Sequence, residues 1–147
     1  MPADNTVSKD NSFNLQRFVD AQSEVYDQVL SELARGRKTS HWMWFIFPQL
    51  RALGRSITAR YYGIDSREEA VAYLRHPLLG PRLRQCVNQL LALNMSDPHM
   101  ILGSPDDMKL RSCLTLFAAI APDDSLFRTA LERFYPEGAD DNTLAML

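Results

Sequence analysis

Lys38-Thr39-Ser40-His41-Trp42-Met43-Trp44-Phe45-Ile46-Phe47-Pro48-Gln49 is the stretch on which the fold class turns. Its apolar centre, Trp42 to Phe47, is the one run that reads as a strand. It is short and isolated. A strand needs partners, and no other segment alternates apolar and polar residues clearly enough to supply one. The run itself reads as either extended or helical, so its neighbours decide the class.

Upstream, Phe18, Val19, Val25, Tyr26, Val29, Leu30 and Leu33 recur at helical spacing, and Gly36 stands where a helix would stop. Ser23 is placed to cap a second helix inside that stretch. Downstream, Ser66-Arg67-Glu68-Glu69 is a capping-box pattern, and the helix it opens must end before Pro77. Leu83, Cys86, Val87, Leu90 and Leu91 form the clearest amphipathic stripe. Gly103-Ser104-Pro105-Asp106-Asp107 starts another helix, with Ser104 as its cap, and Leu110, Cys113, Leu114, Phe117 and Ile120 form its inner face. Asp123 or Asp124 caps a further helix carrying Phe127, Ala130, Leu131 and Phe134, and Asp140 caps a last turn. The expectation is an all-α protein of about six or seven helices: a mobile polar tail over residues 1–12, then one helical domain over 13–147.

With 147 residues, 46% apolar and 23% charged, the chain is neither disordered, collagen-like nor a coiled coil. The net charge of −2 opposes nucleic-acid binding. That average hides an asymmetry. Arg35 to Asn94 holds ten Lys/Arg against three Asp/Glu, a net +7, while the remainder holds six against fifteen, a net −9. A basic surface can focus an anion or an acidic partner. The same asymmetry also arises when a basic middle simply packs against acidic ends. Cys86 and Cys113 fall at apolar helix positions and read as small buried hydrophobes. With no secretory signal and no run near ~20 apolar residues, the expected setting is the reducing cytoplasm, without a membrane.

Chemistry concentrates in the same quoted stretch. Trp42 and Trp44 can wall a pocket, His41 can move a proton, Lys38 can hold an anion, and Gln49 can orient ligand or imidazole. Six apolar residues in a row also serve as core, and a buried indole N–H needs only one partner. A second cluster is Asp106 and Lys109 at the start of the helix after Ser104, where Asp106 would position Lys109 or a water, or simply pair with Lys109 at i, i+3. His41, His76 and His99 lack metal-ligand spacing. No phosphate loop, dinucleotide fingerprint or nucleophile elbow is present, so no cofactor is expected.

The quoted stretch resembles the bacterial domain-of-unknown-function family numbered 1810. The resemblance continues through Leu53-Gly54-Arg55-Ser56, Glu69-Ala70-Val71-Ala72-Tyr73-Leu74 and His76-Pro77-Leu78-Leu79-Gly80-Pro81-Arg82-Leu83. It resumes at Asp106-Asp107-Met108-Lys109-Leu110-Arg111-Ser112 and Leu114-Thr115-Leu116-Phe117. It implies a mainly helical fold and no particular activity. The label calpastatin, sometimes attached to such chains, does not suit a compact, non-repetitive sequence. One departure is Ser112-Cys113-Leu114, where the family pattern has Ser-Ser-Met. Two readings follow. In the first, His41 and Asp106 are the catalytic pair, and Lys38, Trp42, Trp44, Gln49 and Lys109 bind a small anionic, nucleotide-like molecule. In the second, the chain is a non-enzymatic interaction module that meets an acidic protein surface.

Overall fold

The computed structural model describes residues 13–147, so the tail expected over residues 1–12 lies outside the described residues. The described chain is mostly helical. In order, the helices are α1 Gln16–Ser23, α2 Tyr26–Arg35, α3 Met43–Ile46, α4 Ile57–Tyr61, α5 Arg67–Arg75, α6 Leu79–Leu91, α7 Pro98–Leu102, α8 Asp106–Ile120, α9 Ser125–Phe134 and α10 Asp141–Met146. A single 3₁₀ turn, Arg51–Leu53, lies between α3 and α4.

Ten α-helices therefore stand among the described residues where six or seven were expected. The excess comes from α3, α4 and α7, each about one turn long. A hydrophobic period is legible only over two or more turns. The aromatic run resolves as helix α3, and its core residues Trp42, Met43, Phe45, Ile46 and Phe47 are all buried. The β-pairing among the described residues is one isolated parallel bridge, with Ile64 N–H donating to Gln49 O at 2.9 Å and Arg51 N–H to Ile64 O at 2.8 Å. Gly63 is required there: a Cβ would stand 2.4 Å from Arg51 Cα.

Helix α8 is the centre of the packing. It contacts α5, α7, α9 and α10, while α6 packs on α2, α5 and α9. Leu110, Cys113, Leu114, Leu116 and Phe117 of α8 are at most 1% exposed and meet Leu79, Leu83, Val87 and Leu90 of α6 in one core. Burying a side chain of this size stabilises the fold by about 1.5–3 kcal/mol.

The caps divide. Ser66 Oγ accepts from Glu69 N–H at 3.1 Å, as the capping box requires, but the Glu69 carboxylate reaches one residue further back, to Asp65 N–H at 2.7 Å. Glu69 also pairs with buried Arg17 at 2.9 Å. Asp124 and Asp140 cap α9 and α10. Gly36 ends α2 in the left-handed region at φ 71°. Two expected caps are absent. Ser23 lies in the last turn of α1, and α2 starts behind Val25 without a side-chain cap. Pro105, joined to Ser104 by a cis bond, occupies the cap position of α8, so the Ser104 hydroxyl does not cap it.

Candidate functional site

The site begins at Glu32, in the last turn of α2. Its carboxylate is 0% exposed and turns back over the loop that follows. Oε1 accepts from Thr39 N–H at 2.7 Å, Ser40 N–H at 3.0 Å and the Trp42 indole N–H at 3.0 Å. Oε2 accepts from Gln28 at 2.8 Å and from the Ser40 hydroxyl. Burial alone would raise this carboxyl's pKa, but the hydrogen bonds from Ser40, Gln28, Thr39 and Trp42 outweigh it and hold the group well below the usual carboxylate range. A buried anion thus fixes residues 39–42. It also supplies the one partner that the buried Trp42 indole N–H needs.

Trp42 is 1% exposed, so it cannot face a ligand. Its assignment as a binding wall is corrected to core. Lys38 precedes it and is tied down twice: its N–H donates to Ile101 O at 2.8 Å, and Nζ lies 2.9 Å from Asp106 Oδ2. The Lys38 ammonium also lies 5.2 Å from the Trp42 ring centroid. Asp106 Oδ1 is 3.8 Å from Lys109 Nζ, one turn along α8. Lys109 in turn sits 5.6 Å over the half-buried Trp44 ring, and the exposed His41 ring lies 6.5 Å beyond Trp44. The two sequence clusters, separate along the chain, therefore meet in space. They form a continuous line from Trp42 through Lys38, Asp106, Lys109 and Trp44 to His41.

Beside this line a cleft of about 520 Å³ opens between the Gln49–Ala59 segment and the N-terminal half of α8. Gln49 and Lys109 line it, together with Arg55, Ser56, Ser112, Asp140 and Asn142 and the apolar Leu53 and Met108. Its size falls within the ~300–1,000 Å³ of small-molecule sites. A smaller space of about 10 Å³, between Trp44, Met43, Phe47 and Tyr62, adjoins it and shares Gln49, Ala59 and Lys109. Lys38, His41, Trp42 and Asp106 are not in the lining of either space. Two further grooves, of about 590 and 650 Å³, contain none of the seven residues read from the sequence.

The sequence reading did not mark Arg55, Ser56, Ser112, Asp140 and Asn142, which line the cleft. Arg55, Ser56 and Ser112 fall within the motifs that carry the family resemblance, which was the available signal. Asp140 had been read only as a cap, and it does cap, accepting from Thr143 N–H at 3.0 Å. Among the described residues, no group of three or more His, Cys, Asp or Glu could hold a metal ion. Both cysteines are buried, and burial pushes the Cys86 thiol up to about 12 and Cys113 well up too, so neither is a ready nucleophile. No helix among the described residues is long and apolar enough to cross a membrane.

Against known proteins, the model of a family described as protein of unknown function (DUF1810) matches residues 12–147. The chain is also similar to the crystal structure of the conserved hypothetical protein Rv1873 from Mycobacterium tuberculosis. The two are 49% identical, with a TM-score of 0.90 over 92% of this chain and 97% of that one. No curated protein matches the chain.

Proposed function

We propose, for a chain that belongs to the family described as protein of unknown function (DUF1810), that the cleft beside α8 binds a small anionic molecule. The observation that carries this reading is the division of labour around Asp106. Lys38 takes its carboxylate at 2.9 Å, while Lys109 stays 3.8 Å away. One carboxylate cannot neutralise two ammonium groups, so Lys109 enters the cleft with charge to spare. Arg55 adds a second cation, exposed and without a hydrogen bond or ion pair among the described residues. Gln49, Ser56 and Ser112 supply neutral polar groups, and Trp44 supports the Lys109 ammonium through its ring face.

In this reading Lys109 and Arg55 bind, Lys38 and Asp106 position Lys109, and Trp42 is core. His41 stands at the outer side of Trp44, a proton carrier near the site without a place in its lining. A thermal-shift panel of phosphorylated and carboxylated metabolites tests the proposal. A ligand at ~100 times its dissociation constant stabilises by about 2.7 kcal/mol, a shift of several degrees. Wild type shifts and Lys109→Met does not. A shift of equal size in Lys109→Met contradicts the reading.

One observation favours the second reading, an interaction module. Ile57 is 89% exposed and Tyr61, one turn along α4, is 53% exposed, with Arg51 and Arg60 lining the same groove. Asp65 and Glu69 line it too, and Arg51 pairs with Asp65 at 3.2 Å, so Arg60 is the cation left to meet an acidic partner beside the apolar Ile57 and Tyr61. Titration of an acidic amphipathic peptide into wild type and Ile57→Asp checks it. Binding that is lost in the variant supports this reading, and no binding to wild type contradicts it.

A further inference from the structure

We infer that the cleft selects anions that also carry hydroxyl groups, with sugar phosphates as the ligand class; the inference rests on the anion-binding reading above. The residue that points there is Asp140, a carboxylate lining a cleft otherwise supplied with cations. Its presence disfavours a ligand that is negative along its whole length. It is also held in place from several sides. Arg111 Nε donates to Gly138 O at 2.8 Å and Nη2 to Ala139 O at 3.2 Å. Asp140 N–H donates to Thr115 Oγ1 at 2.9 Å. Helix α8 therefore carries the residue 138–140 segment on its own side chains.

The two carboxylate oxygens then differ. Oδ2 accepts from Thr143 N–H at 3.0 Å and from the Thr143 hydroxyl at 2.6 Å, and it lies 3.4 Å from the Ser112 hydroxyl, whose one proton is also within reach of Met108 O at 3.3 Å. Oδ1 receives no hydrogen bond among the described residues. The structural work of capping α10 needs one oxygen, and the second is free of protein partners among the described residues. The side-chain amides of Gln49 and Asn142 line the same cleft and likewise make no hydrogen bond among the described residues. Lys109 and Arg55 suit a phosphate, while a carboxylate oxygen and two amides suit hydroxyls. Hydrogen bonds to an ionised acceptor are roughly twice as strong as neutral ones. A site built to pair hydroxyls rejects analogues that lack them.

Calorimetric titration of the whole protein with ribose 5-phosphate, inorganic phosphate and phosphoserine tests the inference. Wild type binds ribose 5-phosphate at least about tenfold more tightly than inorganic phosphate, equivalent to about 1.4 kcal/mol. Asp140→Asn, which keeps an oxygen for the α10 cap, brings the two within roughly twofold by weakening the sugar phosphate alone. The wild-type ratio needs no variant, so the test stands even if Asp140→Asn fails to fold. Equal affinity for the two probes, with phosphate binding still lost in Lys109→Met, overturns the hydroxyl selection and leaves the anion site standing. Phosphoserine binding more tightly than ribose 5-phosphate also overturns it, in favour of an ammonium partner for Asp140. No heat from any probe overturns the inference together with the reading it rests on.

Discussion

Lys38 Nζ lies 2.9 Å from Asp106 Oδ2, with side chains only 8% and 19% exposed, and this pair fastens the loop after α2 to the start of α8. It joins residues 68 positions apart and makes one site of two sequence clusters. Breaking a largely buried pair leaves a charge without its partner, whereas a surface pair contributes little. Asp106→Ala strands two ammonium groups and is expected to cost about 2 kcal/mol. Lys38→Met costs less, because Lys109 is at hand to approach Asp106. Urea denaturation of both variants checks the order, and a larger loss for Lys38→Met contradicts it.

Glu32 supplies an acid-sensitive contribution to stability. Its carboxyl titrates below the ordinary range in the folded chain, while the unfolded value is about 4.3. The contribution is therefore fully present above the unfolded value and is lost as pH falls below about 4.3 toward the folded one. Glu32→Gln is expected to cost about 2 kcal/mol near neutral pH and to lower stability less steeply through the acid range. Thermal melts of both proteins from neutral to acid pH measure this; parallel curves contradict it.

The two tryptophans report different environments. In Trp44→Phe the remaining Trp42 emits at short wavelength and resists acrylamide. In Trp42→Phe the remaining Trp44 emits further to the red and is quenched. Trp42→Phe also removes the indole donor to Glu32, so it melts at a lower temperature than Trp44→Phe. Equal quenching in the two variants contradicts the assignment of Trp42 to the core.

Both thiols are sealed. Cys86 and Cys113 are 1% and 0% exposed, with thiols raised by burial. A disulfide reagent reacts with neither at neutral pH in the folded protein and with both once urea unfolds it. Prompt labelling of the native chain contradicts this.

Helix type was legible where it could be read over two or more turns, as in the Leu83–Leu91 and Leu110–Phe117 stripes. It was not legible in α4 or α7, whose five residues each hold too little of a period. Lys38, Trp44, Gln49, Asp106 and Lys109 were marked by residue type, and the structure gathers them. The arrangement of the loop that carries Lys38 was not legible, because it is held by Glu32, which reads as one more polar residue on a helix and is in fact a buried anion bonded to Thr39, Ser40 and Trp42. Asp140 shows the same limit. A sequence reveals that a residue can cap but not that it also lines a cleft. His41 shows the reverse: its chemistry made it the obvious candidate, but its ring stands on Trp44, outside the cleft lining.

The most direct test of the anion site follows the two indole N–H signals and the backbone amides by nuclear magnetic resonance during titration with ribose 5-phosphate. The account predicts that amides of Gln49, Arg55, Lys109, Ser112 and Asp140 shift. The Trp44 indole moves with them through Lys109, while the Trp42 indole, bonded to Glu32, stays fixed. In Lys109→Met these shifts vanish, and in His41→Ala they persist. Shifts confined to the α4 ridge, or a titration abolished by His41→Ala and untouched by Lys109→Met, would contradict it.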